Sequence, residues 1–97
     1  MITLSGFTTV STAGTRVQLS NSPRRCRWIK FKAHGSNAGN VYVGDSNVSA
    51  SNGYPLDKTE EFEVNFWFAG GTVPMSNFYV DAAVNAEYLY WFAILDG

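Results

Sequence analysis

Glu61-Phe62-Glu63-Val64-Asn65-Phe66-Trp67-Phe68 alternates with a period of two: Phe62, Val64, Phe66 and Phe68 fall on one side, Glu61, Glu63, Asn65 and Trp67 on the other. Successive side chains of an extended strand point to opposite faces, so this stretch predicts a strand with one face in a core. A helix would need apolar positions three and four apart. Working outward, residues 26–34 repeat the pattern, with Ile29, Phe31 and Ala33 opposed to Trp28, Lys30, Lys32 and His34. Shorter strands are expected at 16–20 (Val17, Leu19), at 40–44 (Val41, Val43) and at 77–84 (Phe78, Val80, Ala82, Val84). Residues 87–95 run from Tyr88 to Leu95 without a polar interruption, which predicts a strand covered on both faces, one by the core and one by something else. Residues 1–10, rich in Ser and Thr and broken by Gly6, read as an edge strand or an N-terminal arm.

Turn-forming clusters separate these runs at Asn21-Ser22-Pro23, Gly35-Ser36-Asn37, Asp45-Ser46-Asn47, Ser51-Asn52-Gly53, Gly70-Gly71 and Val84-Asn85-Ala86. The result is an all-β chain of about eight short strands, a single small antiparallel sandwich or jelly roll occupying residues 1–97 as one domain.

Charged residues make up 15% of the 97, against roughly 25% in an ordinary domain, while apolar residues reach 45% and aromatics 15%. A surface so poor in charge, with many aromatic groups, is what a permanent protein interface needs. The formal charge of −1 supplies no field to gather nucleic acid or anionic lipid, so neither nucleic acid nor membrane is an expected partner. Cys26 is the only cysteine, which excludes an internal disulfide and fits folding in a reducing cytosol. Neither a signal peptide nor an apolar run of about 20 residues is present, so secretion and membrane crossing are not expected.

Catalytic constellations find little support. His34 is the single histidine, whereas a metal-binding jelly roll needs several imidazoles converging on one ion. Cys26 and His34 lie eight residues apart, roughly 26 Å along an unbroken strand at about 3.3 Å per residue, too far for a nucleophile and its base. Glu61 and Glu63 share a strand face at a separation that glycosidase acids use, yet they read as solvent-facing residues. Asp45-Ser46-Asn47 opens like a calcium loop but has Ala50 and Leu56 where Gly and Glu are required. Asn47-Val48-Ser49 matches a glycosylation sequon without the secretion signal that would give it meaning. No enzyme, cofactor or metal is therefore expected. Arg24, Arg25 and Arg27 form a basic cluster suited to a protein carboxylate. Trp28, Trp67 and Trp91, with Tyr90, are candidates for an oligomer or partner interface; the three tryptophans alternatively form a sugar-stacking platform or fill the core, the last reading applying above all to Trp91 within its apolar run.

The order Cys26-Arg27-Trp28-Ile29-Lys30-Phe31-Lys32-Ala33, then Gly39-Asn40-Val41-Tyr42-Val43-Gly44-Asp45-Ser46-Asn47-Val48-Ser49, then Asn52-Gly53-Tyr54-Pro55-Leu56, and later Phe78-Tyr79-Val80-Asp81-Ala82, resembles the small capsid decoration, or cement, proteins of tailed bacteriophages. That resemblance implies a jelly-roll domain, made in the bacterial cytoplasm, that binds the major capsid protein on the exterior of the virion as a homotrimer and stabilises the head. Trp28, Trp67, Tyr90, Trp91 and the three arginines are the residues expected at such an oligomer or capsid interface. The alternative is a carbohydrate-binding or tail-fibre accessory module.

Overall fold

The computed structural model describes residues 2–65 and 71–96. Its strands in chain order are β1 (Ile2–Val10), β2 (Val17–Gln18), β3 (Arg25–Ala33), β4 (Val41–Gly44), β5 (Tyr54–Leu56), β6 (Glu61–Asn65), β7 (Val73–Pro74), β8 (Tyr79–Ala82) and β9 (Glu87–Leu95). One 3-10 turn, Met75–Asn77, leads into β8. The front sheet has the order β1-β9-β3-β6, with β7 alongside β3 beyond the end of β6, and the back sheet the order β2-β8-β4-β5. Every pairing is antiparallel. The chain is thus a small two-sheet β-sandwich, as its period-two patterning predicts. With the short β7 set aside, the strands nest from the outside in, β1 and β9 beside each other, then β2 and β8, β3 and β6, β4 and β5, which is the strand order of a jelly roll.

Alternation decides what goes inside. In β9, Leu89, Trp91, Ala93 and Leu95 are buried between the sheets, facing Ile29, Phe31 and Ala33 of β3's inner side and Val41, Val43, Val80 and Ala82 of the back sheet. Phe31 anchors the centre, stacked on Phe62 at 5.2 Å and edge-on to Phe78 at 5.5 Å. In β3 the period slips once: the register with β9 shifts between Cys26 and Trp28, so Arg27 is the extra residue of a bulge. That slip is why Cys26 and Ile29, three apart, both point inward.

The expected strands fare differently. Residues 1–10 form the edge strand, one of the two expected alternatives, and not a free arm: β1 pairs with β9 in unbroken register from Ile2↔Leu95 to Val10↔Glu87. The inner face of β9 is covered by the core, as expected, while Tyr90 and Phe92 of its outer face are 44% and 43% exposed within the single chain. The strand expected at 77–84 is confined to Tyr79–Ala82, since Asn77 belongs to the 3-10 turn and Val84 lies exposed in the turn before β9. The strand expected at 61–68 is described as Glu61–Asn65, and its continuation, Trp67 included, lies outside the described residues. β5 and β7, each containing a proline, were not anticipated.

Candidate interaction surface

The outer face of the front sheet follows from the registers. Across β1, β9, β3 and β6, one row reads Phe7, Tyr90, Lys32, Glu61; the next reads Ser5, Phe92, Lys30, Glu63; the third reads Thr3, Ile94, Trp28, Asn65. The sheet therefore grades from uncharged at β1, through aromatic at β9, to cationic at β3 and acidic at β6. Phe7 is 63% exposed, the highest value among the large apolar side chains of the described residues. Its ring meets Tyr88 at 6.3 Å and Tyr90 at 6.4 Å, edge-on in both cases, and Trp28 meets Phe92 edge-on at 6.1 Å. Edge-to-face geometry sets the positive rim of one ring against the negative face of the next, so these contacts fix the aromatic side chains without burying them.

At the upper end of this stripe the ring of His34 leans on Tyr90 at 5.2 Å and on Tyr88 at 5.5 Å. Its Nδ1 accepts the main-chain N–H of Ser36 at 2.9 Å, so the neutral imidazole carries its proton on Nε2. Phe7, His34, Tyr88 and Tyr90 together line a shallow hollow of about 220 Å³. The loop that carries His34 is held by buried polar groups. The Asn37 amide copies a strand, donating to the Tyr88 carbonyl at 2.8 Å and accepting the Tyr88 N–H at 2.9 Å. Glu87, only 4% exposed, accepts the N–H groups of Ala38 and Gly39, each at 2.8 Å, through one carboxylate oxygen.

The charged flank is internally matched. Lys30 bridges diagonally to Glu61 at 2.9 Å. The hydrogen bond with Lys30 holds the Glu61 carboxyl below its ordinary range and, reciprocally, raises the Lys30 ammonium above its own. Glu63 accepts the indole N–H of Trp28. Each of the two acids considered for catalysis is thus engaged with a neighbour across β3.

The other sequence candidates divide. Trp28 and Tyr90 both stand on the outer face, with the row of Phe92 and Lys30 between theirs. Trp91 does not: it points between the sheets, 8% exposed, and an interface role for its indole is corrected to a core role. The reason is Gly6, directly opposite in β1, where a Cβ would come within 2.8 Å of the indole. The indole lies where a side chain at position 6 would otherwise project, and its buried N–H has no partner among the described residues. The arginines do not converge on one target. Arg25 donates twice to Thr72, at 2.7 and 2.9 Å, Arg27 pairs with Asp96 at 2.8 Å, and Arg24 is exposed beside Pro23. Cys26 is fully buried near the start of β3, where desolvation pushes its thiol up, and His34 follows the strand's far end. Asp45 accepts the Asn47 N–H at 2.9 Å within its own turn.

Phe7 and Tyr88 were not singled out in the sequence, although the period-two partners of Tyr90 and Phe92 carry the signal that Tyr88 shares their face. Nothing local marks Glu87 or Asn37, whose partners lie 48 to 51 residues away. Among the described residues there is no cluster of three or more His, Cys, Asp or Glu placed to hold a metal, and no helix long and apolar enough to cross a membrane. Neither a family model, nor a curated protein, nor a solved structure matches this chain.

Proposed function

We propose that this domain is a structural subunit that works by docking, and that its role is that of a virion protein which decorates a bacteriophage capsid and stabilises it by bridging the joints between capsid subunits. The observation that carries the reading is the aromatic stripe of Phe7, Tyr90 and Phe92, exposed on a rigid sheet in a chain with so little surface charge. Contiguous apolar patches of this kind mark interaction surfaces, and Tyr, Trp and Phe dominate the centres of such interfaces. The resemblance of residues 26–56 to decoration proteins supplies the nature of the partner. The mechanism is burial of added interface at many equivalent places, with no bond made or broken.

The test is co-sedimentation of the purified protein with empty heads of its phage, alongside Tyr90→Ser with Phe92→Ser. The native protein should pellet with heads and raise their melting temperature, and the double variant should stay in the supernatant while keeping its fold. A native protein that ignores heads sinks the reading.

A second reading is a glycan-binding module, favoured by the hollow of Phe7, His34, Tyr88 and Tyr90, which joins aromatic faces to polar tips. Binding on a glycan array that is lost in Tyr88→Ala would select it over the first.

A further inference from the structure

An edge strand exposes a row of unpaired main-chain N–H and C=O groups, and proteins blunt such edges with short strands, prolines, bulges or charged side chains. Three of the four edges here are blunted. β2 has two residues, and β5 has three with Pro55 at its centre. The β6 side carries Glu61 and Glu63 and continues as the two-residue β7, which ends on Pro74. β1 has none of these devices: it is nine residues long, without charge, proline or bulge. Among the described residues, no main-chain group from Ile2 to Thr9 bonds any element other than β9.

We infer that the free edge of β1 pairs with the β1 of a second copy, antiparallel about a two-fold axis through Gly6, merging two front sheets into one. The occupant follows from the strand itself. Opposed residues in an antiparallel ladder point to the same face, so only registers joining residues of equal parity keep both cores inside. Of these, the register centred on Gly6 gives the longest overlap, setting Ile2 against Val10, Thr3 against Thr9, Leu4 against Thr8 and Ser5 against Phe7. At about 3.4 Å per residue the joint is about 31 Å long. No pair in it brings like charges together, which β6 could not offer to a copy of itself. The same register sets the two Phe7 rings diagonally across the axis, within the 7–8 Å reach of aromatic neighbours. The most exposed large apolar side chain among the described residues is thereby covered by its own counterpart. An isologous contact closes at two copies, unlike the three-fold assembly implied by the resemblance, and it goes beyond the docking role of the outer face because it uses the edge.

The experiment is light scattering over a dilution series, with two variants changed at the same outward positions. The native protein should be a dimer. Thr3→Lys with Thr9→Lys opposes like charges at both symmetric pairs and should weaken the dimer about tenfold. Thr3→Lys with Thr9→Glu opposes ammonium to carboxylate across the axis and should dimerise at least as well as the native chain. Circular dichroism on both confirms that the domain is folded. A native monomer, a trimer, or a dimer that responds identically to the two variants overturns the inference, and none of these results depends on whether the protein binds capsids.

Discussion

The two sheets treat their outer faces in opposite ways. On the back sheet, Asp81 points outward and is nevertheless 4% exposed, because the 11–16 loop folds over it: its carboxylate accepts the N–H of Gly14 at 3.0 Å and of Ala82 at 2.8 Å, while Asn85 holds Ala13 at 2.8 Å. On the front sheet, the residues at the middle of β9 are aromatic and bare. The chain therefore spends a loop to cover a carboxylate and leaves apolar rings in water. Water solvates a carboxylate well and a phenyl ring poorly, so an isolated domain shaped by its own stability would do the reverse. On the docking reading proposed above, the difference separates surfaces that serve this chain from one that would serve another molecule.

Breaking the coverings should cost most. Glu87→Ala removes a buried carboxylate that accepts the Ala38 and Gly39 N–H groups and frees the loop that carries His34, and urea unfolding should show a loss of about 2–3 kcal/mol. Gly6→Val drives a side chain into the Trp91 indole, and calorimetry should register an overpacking cost of about 1–3 kcal/mol together with altered indole fluorescence. Asp81→Ala removes the anchor of the 11–16 loop; about 1–2 kcal/mol should be lost, and the Gly14 amide should lose its protection from hydrogen exchange. By contrast, Tyr90→Ser with Phe92→Ser should change stability by less than about 1 kcal/mol, because only cross-strand contacts in water are removed. A large loss there would mean that the aromatic stripe serves the fold, and the contrast between the sheets would collapse.

The smallest effect concerns the flank of the stripe. Glu61 has its folded pKa depressed by Lys30, so its contribution is present above the ordinary carboxylate range and disappears as pH falls through the lowered value. Lys30 is raised, so its share persists below the ordinary lysine range and is lost as pH rises through the elevated value. Both groups are solvent-exposed, and a pH titration of melting temperature should show a slight acid decrease in the native protein that is absent in Lys30→Met and flattened by salt.

Much of this architecture is written in the period-two alternation of β3 and β6, which records where a core lies. It fails where both sides of a strand are apolar: in β9, Trp91 and Tyr90 look equally fit for the interior. Only a residue on another strand separates them, since Gly6 leaves the space that Trp91 fills. The loop anchors were illegible for a related reason, because Glu87 and Asp81 are buried by main-chain N–H groups far away in sequence, and an N–H carries no signature in the side-chain code. The bulge at Arg27 hid Cys26 from the alternation, so its inward orientation does not follow from that of Ile29.

The place of β9 has a consequence for how the chain comes to be folded as it is made. β9 is synthesised after the other eight described strands, yet it lies second in the front sheet, between β1 and β3, and supplies Leu89, Trp91, Ala93 and Leu95 to the core. Until those residues leave the ribosome, β1 has no partner along its whole length and β3 lacks one neighbour, so a nascent chain holds an uncharged strand with two open edges. Pairings between the first strand and the last also carry a large loop-closure cost and form slowly. A chain stalled before Glu87 should consequently be the aggregating species in the cell, and the fold should close only once β9 is free to pair.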